Sequence, residues 1–307
     1  NMLVAGAITS VSHTDCVVYN CKCAVTDVAG VDDKICITGD NMDTFGYIVG
    51  RNDGVVNGGI SGQYLGYKSD KTKIIIGGAV GTNDHIVKNV TFTFDLVDRK
   101  QAETIGGIVG LNQGDIKRCI FGGNIVKTVH SAAGMTIGGI AAKNGNVNSS
   151  GAVEYTGNIV DCYLIGSVLD VKGTGNFVDT STDAGKISGS SAVGGVCGIN
   201  YEGSAIDNCH AASLKDAEGN IVKSNGLNVV NGMAGGICAV NYGMVSDCGY
   251  STKLFVNEQG AIEADSKSSG SDKDMDFCFY ANQYALPQYG YVWRRNPVPY
   301  CPMCGFP

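Results

Sequence analysis

Proline is missing from almost the whole of this chain. All five prolines of its 307 residues lie from Pro287 onward, Pro297, Pro299 and Pro302 among them. Charge is scarce too: Asp, Glu, Lys and Arg together make 17%, and no basic cluster offsets the formal net charge of −7. That argues against a nucleic-acid partner, which needs clustered Lys and Arg to neutralise phosphates. No apolar run approaches the ~20 residues that span a bilayer, so no transmembrane segment is expected. The stretch from Asn1 to Val11 has no basic residue ahead of its apolar part and does not read as a secretory signal. Histidine is limited to His13, His85, His130 and His210, no two of them four apart, so the His-Glu-x-x-His helix of zinc peptidases is absent. No cofactor is expected.

Apolar residues make 44% of the chain, enough for a core. Glycine, at 45 residues, is about twice its usual share. Abundant Gly with no collagen period suits regular strands joined by many tight corners. Thirteen cysteines is an odd number, so at least one thiol has no partner within the chain.

The sequence repeats. Gly46, Gly77, Gly106, Gly138, Gly194 and Gly235 each open a similar stretch, and the residue six positions later is always Asn: Asn52, Asn83, Asn112, Asn144, Asn200 and Asn241. A cysteine column follows at Cys119, Cys162, Cys209 and Cys248, with Cys21 ending an N-terminal half-copy, Val17-Val18-Tyr19-Asn20-Cys21. A turn former precedes most of these positions (Gly58, Asn89, Asp161, Asn208, Asp247), with Arg118 the exception.

Short strands between Gly, Asn and Asp corners fit one coil of a solenoid. The expected fold is therefore all-β: a parallel β-helix of about seven coils over residues 1–260, some 30 Å long at ~4.8 Å per rung. Stacked Asn side chains, placed at corners that favour the left-handed conformation, would form a ladder, each amide donating to one neighbour and accepting from the other. The cysteine column reads as packed core. Ile48, Ala79, Ile108, Ile140, Val196 and Ile237 face the core. By strand alternation, Val49, Val80, Val109, Ala141, Cys197 and Cys238 face outward and need a cover. Residues 145–158 and 167–191 read as insertions projecting from the rod. Residues 261–276 read as a linker. Residues 277–307, with five tyrosines and Trp293, read as an aromatic cap or flank segment.

On these residues the chain resembles the GLUG-motif proteins. The likeness lies in Gly106-Gly107-Ile108-Val109-Gly110-Leu111-Asn112, followed by Gly114, Ile116 and Cys119, and in the copies across roughly residues 46–250. Such repeats occur in bacterial surface proteins, including a group associated with immunoglobulin A-cleaving metallopeptidases. The resemblance implies a secreted or cell-surface, adhesin-like bacterial β-solenoid. The cysteine content departs from that expectation, and an anaerobic or reducing habitat would reconcile the two.

Several groups carry candidate chemistry. Cys209-His210 pairs a thiol with a base, but strand neighbours point to opposite faces, which favours a packed thiol. Cys197 and Cys238 fall within disulfide reach on adjacent coils, although in-register parallel geometry is awkward for the bridge. Cys301 and Cys304 are a candidate disulfide and, with Cys278, a weak metal set lacking a fourth ligand. Asp272, Asp274 and Asp276 begin like a calcium loop, but Gln283 stands where the closing Glu belongs. Asp53, Asp84 and Asp115 could align in one outer column, as carboxylates do in β-helical polysaccharide lyases and glycosidases. The expected function is a noncatalytic surface module that binds a host-surface protein or a glycan, or acts as a rigid spacer. The alternative is a β-helical carbohydrate-active enzyme.

Overall fold

The structure is a computed structural model. It describes residues 4–6, 8–24, 36–38, 43–58, 60–62, 65–68, 74–92, 96–98, 103–123, 125–127, 135–164, 191–211, 214–215, 221–223, 232–250 and 279–280. The candidate linker, most of the aromatic segment, and Cys278, Cys301 and Cys304 lie outside the described residues.

The chain winds as a parallel β-solenoid of seven coils. Each coil adds one strand to each of several in-register sheets. The first sheet stacks Val4–Gly6, Thr44–Gly46, Ile75–Gly77, Thr104–Gly106, Thr136–Gly138, Ser191–Gly194 and Gly232–Gly235. The second stacks Thr9–Ser12, Val49–Asn52, Val80–Asn83, Val109–Asn112, Ala141–Asn144, Cys197–Asn200 and Cys238–Asn241. The third stacks Val17–Tyr19, Val55–Asn57, Ile86–Lys88, Asp115–Lys117, Asn158–Val160, Ala205–Asp207 and Met244–Ser246. A fourth runs from Thr91–Phe92 through Ile120–Phe121, Tyr163–Leu164 and His210–Ala211 to Gly249–Tyr250. A further sheet of four strands, from Cys36–Thr38 to Ile125–Lys127, completes the lower coils. The marker glycines pair one above the other, Gly46 with Gly77 and Gly77 with Gly106. The repeat period is thus the circumference of the coil.

The column of Val49, Val109 and Cys197, expected to face outward, lies in the core and needs no outer cover. The chain bends at Tyr47 and Ile48, between the strands Thr44–Gly46 and Val49–Asn52, so Ile48 and Val49 do not alternate across one strand. Both are fully buried in the same core cluster, as are Ile108 with Val109 and Val196 with Cys197. The bend is tight because the marker position is glycine: a Cβ on Gly46 would run into the Val49 carbonyl oxygen. Each fully buried Ile or Val contributes roughly 1.5–3 kcal/mol of transfer free energy, so stacked coils supply the stability that one coil cannot.

The next position matches the fourth sheet by size. A Cβ on Gly107 would strike the Phe121 ring, and one on Gly139 would approach Leu164 Cδ1 at 2.9 Å. In the second coil Tyr47 fills this place and packs edge-on against Phe92, ring centroids 5.5 Å apart. Phe92 stacks on Phe121 at 6.0 Å.

The corner before the cysteine column is left-handed in every coil. The φ values are 46° at Asn20, 73° at Gly58, 56° at Asn89, 54° at Arg118, 55° at Asp161, 49° at Asn208 and 49° at Asp247. Arg118 adopts the same strained conformation as the turn formers around it. The ladder asparagines are absent from the positive-φ positions, so their role is hydrogen bonding rather than tolerance of a left-handed backbone.

The insertion after Asn144 is a β-hairpin, Asn146–Val147 against Val153–Tyr155. Asn148 organises its tip: Oδ1 accepts from Ser150 N (3.0 Å), Ser150 Oγ (2.6 Å) and Ala152 N (3.1 Å), and Gly151 supplies a φ of +83°. The strand Asn158–Val160 then rejoins the third sheet.

Candidate functional site

The ladder asparagines form one directional chain. Nδ2 of Asn52 donates to Oδ1 of Asn83 at 2.7 Å, and the same bond at 2.8 Å links Asn83 to Asn112, Asn112 to Asn144, Asn144 to Asn200, and Asn200 to Asn241. Ser12 Oγ donates to Asn52 Oδ1 at 2.6 Å and starts the chain, a rung the Asn pattern alone does not reveal. The amides of the lower five rungs also tie down the backbone: Asn112 Nδ2 reaches Gly114 O at 2.9 Å, and Asn144 Nδ2 reaches Ala205 O at 3.1 Å. All six side chains are buried, so these bonds form where water cannot replace them.

The cysteine column lines the same interior. Cys119, Cys162, Cys209 and Cys248 are buried and outside any disulfide, and Cys21 in the first coil is partly buried. Backbone N–H groups of Cys119 and Cys209 point at the sulfurs one coil above, Cys162 and Cys248, at 3.4 Å. Burial pushes the Cys119 and Cys209 thiols well up, the opposite of an activated nucleophile. Cys197 and Cys238 stand directly opposite in adjacent strands and both are free thiols, so the candidate bridge between them is not formed. Cys209 and His210 form no catalytic pair. The thiol donates to Asp207 O at 3.2 Å, while the imidazole packs on the Tyr163 ring, centroids 5.2 Å apart. Burial lowers the His210 pKa to about 4.

Outward chemistry sits at the corner directly after the ladder. Backbone N–H groups of Asp53, Asp84, Gln113, Gly145, Tyr201 and Tyr242 each donate to the ladder-position carbonyl one coil below. They form one column, acidic at its lower end and aromatic at its upper end. Asp115 does not belong to it: it lies in the third sheet opposite Ile86, because the corner between the two sheets takes two residues.

At the lower end Arg51 Nε donates to Asp53 Oδ1 at 3.1 Å. Arg51 Nε also approaches Asp84 Oδ2 at 2.7 Å, an ion pair that reaches the next coil. Burial, reinforced by the neighbouring Asp53 carboxyl, raises the Asp84 pKa to about 6 against the pull of Arg51. One coil higher, Asp115 is bonded by Lys117 Nζ at 2.7 Å and Asn158 Nδ2 at 2.9 Å. Burial pushes its carboxyl up, but these two partners hold it below the usual range.

At the upper end Tyr201 is half-buried and Tyr242 is 59% exposed. Met244 at 59% and the hairpin's Tyr155 at 48% extend the apolar surface. Tyr201 and the base of the hairpin meet at Gly145, where a Cβ would lie 3.0 Å from Tyr155 O and 3.2 Å from Tyr201 Cβ. The signal for Tyr201 and Tyr242 is their place directly after Asn200 and Asn241, and for Arg51 its place directly before Asn52. Among the described residues, no group of three or more His, Cys, Asp or Glu is arranged to hold a metal ion, and no helix is long and apolar enough to cross a membrane. Comparison with family models, with curated proteins and with solved structures returned no match.

Proposed function

We propose that this chain is a noncatalytic, adhesin-like module, secreted or displayed on a bacterial cell surface, that holds a binding face rigidly outward. Its ligand is a glycan or a host-surface protein. The observation that carries this reading is the aromatic upper corner, where Tyr242, Met244 and Tyr155 lie exposed beside a hairpin that interrupts an otherwise regular coil. Exposed tyrosines offer flat apolar faces with a polar tip, suited to sugar rings and to protein contacts. Burial of the core thiols also fits a life outside the cell, because a thiol sealed in the core is shielded from oxidants. A glycan array probed with the chain, with a Tyr155→Ala/Tyr242→Ala variant beside it, tests the reading. Binding by the parent that the variant loses supports it. Equal binding by both sinks the assignment to this corner.

A second reading rests on the lower end of the same column. Asp53 and Asp84 stand in successive coils of one column beside Arg51, and burial raises the Asp84 pKa to about 6, so this carboxyl can hold a proton near neutral pH, as acid–base work on polysaccharides requires. A polysaccharide-degradation screen decides it: turnover abolished by Asp84→Asn makes the chain a β-helical carbohydrate-active enzyme.

A further inference from the structure

The aromatic corner lies among charges of one sign. From the hairpin upward, residues 145–164, 191–211 and 232–250 contain Glu154, Asp161, Glu202, Asp207 and Asp247 and no Lys or Arg. The lower coils instead set Arg51, Lys88, Lys117 and Arg118 among their acids. Lys143, in the strand before the hairpin, is half-buried within the field of Glu103. Asp161 is buried, and Asp207 accepts from Ser246 Oγ at 2.9 Å. That leaves Glu154, Glu202 and Asp247 as the exposed carboxylates of these upper residues.

Two of the three adjoin the aromatic patch in the chain: Glu154 precedes Tyr155, and Glu202 follows Tyr201. Corner length puts both on projections. Asp53-Gly54 and Tyr242-Gly243 are corners of two residues, whereas the sixth coil uses the four residues 201–204 and the fifth uses 145–157, the hairpin. Ser204 N closes the four-residue turn on Tyr201 O at 3.0 Å, with Glu202 exposed at its tip. The turn rests on the base of the hairpin. Ser204 Oγ accepts from Gly157 N at 3.0 Å, and a Cβ on Gly203, whose φ is +78°, would lie 2.9 Å from Thr156 Cγ2. Hairpin and turn are thus joined into one ledge. Met244 continues the outward column of Asn158 and Ala205, and Tyr242 follows the ladder in the corner column. Both point sideways from the rod, where a coil stacked above would leave them open.

We propose that this ledge binds a basic protein segment, whose Arg and Lys side chains lie on Tyr155 and Tyr242 with their cationic heads at Glu154 and Glu202. This partner presupposes the corner as the binding face proposed above, and it is the protein rather than the glycan of that reading. The negative face of a tyrosine ring attracts a cation. The alkyl stems of Lys and Arg cover apolar surface while their heads stay with carboxylates, and Met244 can adapt to their shape. A guanidinium stacks on a ring and forks to a carboxylate. A neutral sugar would leave Glu154 and Glu202 unmatched, and a sulfated one would be repelled. The Lys- and Arg-free upper residues steer a basic partner inward, an attraction that salt screens.

Calorimetric titration of the full 307-residue chain with a synthetic Arg-Gly repeat peptide tests this, beside the same peptide carrying citrulline in place of Arg. The Arg peptide should bind, and the uncharged one should bind about tenfold more weakly or worse. Added salt should weaken the Arg peptide. Glu154→Gln/Glu202→Gln should cost about fivefold or more, whereas Asp15→Asn, an exposed acid of the first coil, should cost nothing. Tyr155→Leu/Tyr242→Leu keeps the apolar bulk, removes the ring faces and should cost about fivefold. All four side chains are exposed, so the circular dichroism spectrum should match the parent's. No binding of the Arg peptide, equal binding of the citrulline peptide, or binding unchanged in both double variants would overturn the proposal. Its failure is separable from that of the corner itself. A glycan bound by the parent and lost by Tyr155→Ala/Tyr242→Ala, with no response to the Arg peptide, removes the basic partner and keeps the corner. Silence toward peptide and glycans alike removes both.

Discussion

Replacing Asn112 by alanine should unfold the solenoid locally at the fourth coil. The side chain donates to Asn144 Oδ1 at 2.8 Å and to Gly114 O at 2.9 Å, and accepts from Asn83 Nδ2 at 2.8 Å. Two longer contacts, to Asn158 O and from Gly114 N, stand at 3.4 Å. A net intramolecular hydrogen bond is worth about 1 kcal/mol, and a buried group left unpaired costs about 1–3 kcal/mol more. Asn83 Nδ2 keeps backbone acceptors at 3.3 and 3.4 Å, so the penalty falls mainly on Asn144 Oδ1. The expected loss for Asn112→Ala is therefore about 3–5 kcal/mol. Asn112→Asp is nearly isosteric and should be worse at neutral pH, because its oxygens would face Asn144 Oδ1 and Gly114 O, both acceptors. Those contacts raise the introduced carboxyl above its unfolded pKa of about 3.9. A group whose folded pKa is raised adds stability below its unfolded pKa and loses it as pH rises, so Asn112→Asp should recover toward acid and fail toward neutrality. Urea unfolding followed by circular dichroism measures the loss. Hydrogen exchange of the flanking strands locates it, since stacked coils open by neighbours. A loss below about 1 kcal/mol for Asn112→Ala, or equal stability of the two variants at neutral pH, would refute the directional ladder.

Arg118→Gly should stabilise the chain by about 1 kcal/mol, the left-handed penalty relieved at φ 54° less one exposed bond to Asn89 at 2.9 Å; thermal unfolding checks the sign. Asp84, with its pKa raised from 3.8 to about 6, favours the folded state while protonated. Stability of the parent relative to Asp84→Asn should therefore fall as pH rises from about 4 to about 6 in a pH series of denaturation curves, and a flat difference would contradict the raised pKa. Brief alkylation of the native chain should label exposed Cys16 and spare Cys119, Cys162, Cys197, Cys209, Cys238 and Cys248 until denaturant is added, as peptide mass spectrometry will read.

The coil-on-coil architecture was legible because a solenoid turns sequence offset into spatial column. One residue per coil occupies each place, so the Asn six positions after each marker glycine had to stack once the register was fixed. Other features depend on contacts across the coil. Tyr47 opposite Phe92, and Gly107 opposite Phe121, match by size over residues the repeat does not align. Ser12 completes the ladder although it is not Asn, because a hydroxyl can donate the one bond that the first rung needs.

By itself, then, the sequence determined the period, the parallel all-β winding and the identity of the stacked columns, since each follows from one-to-one register between neighbouring coils. Only the tertiary structure decided which way those columns face. Ile48 and Val49 both turn inward because the chain bends between two strands, which removes the need for an outer cover. Arg118 takes a left-handed corner because the turns stacked on either side leave it no other path. Asp53 and Asp84 share a column that Asp115 does not, because a corner of fixed length separates the sheets. Strand alternation is a local rule, and a solenoid overrides it wherever a corner redirects the chain between two residues.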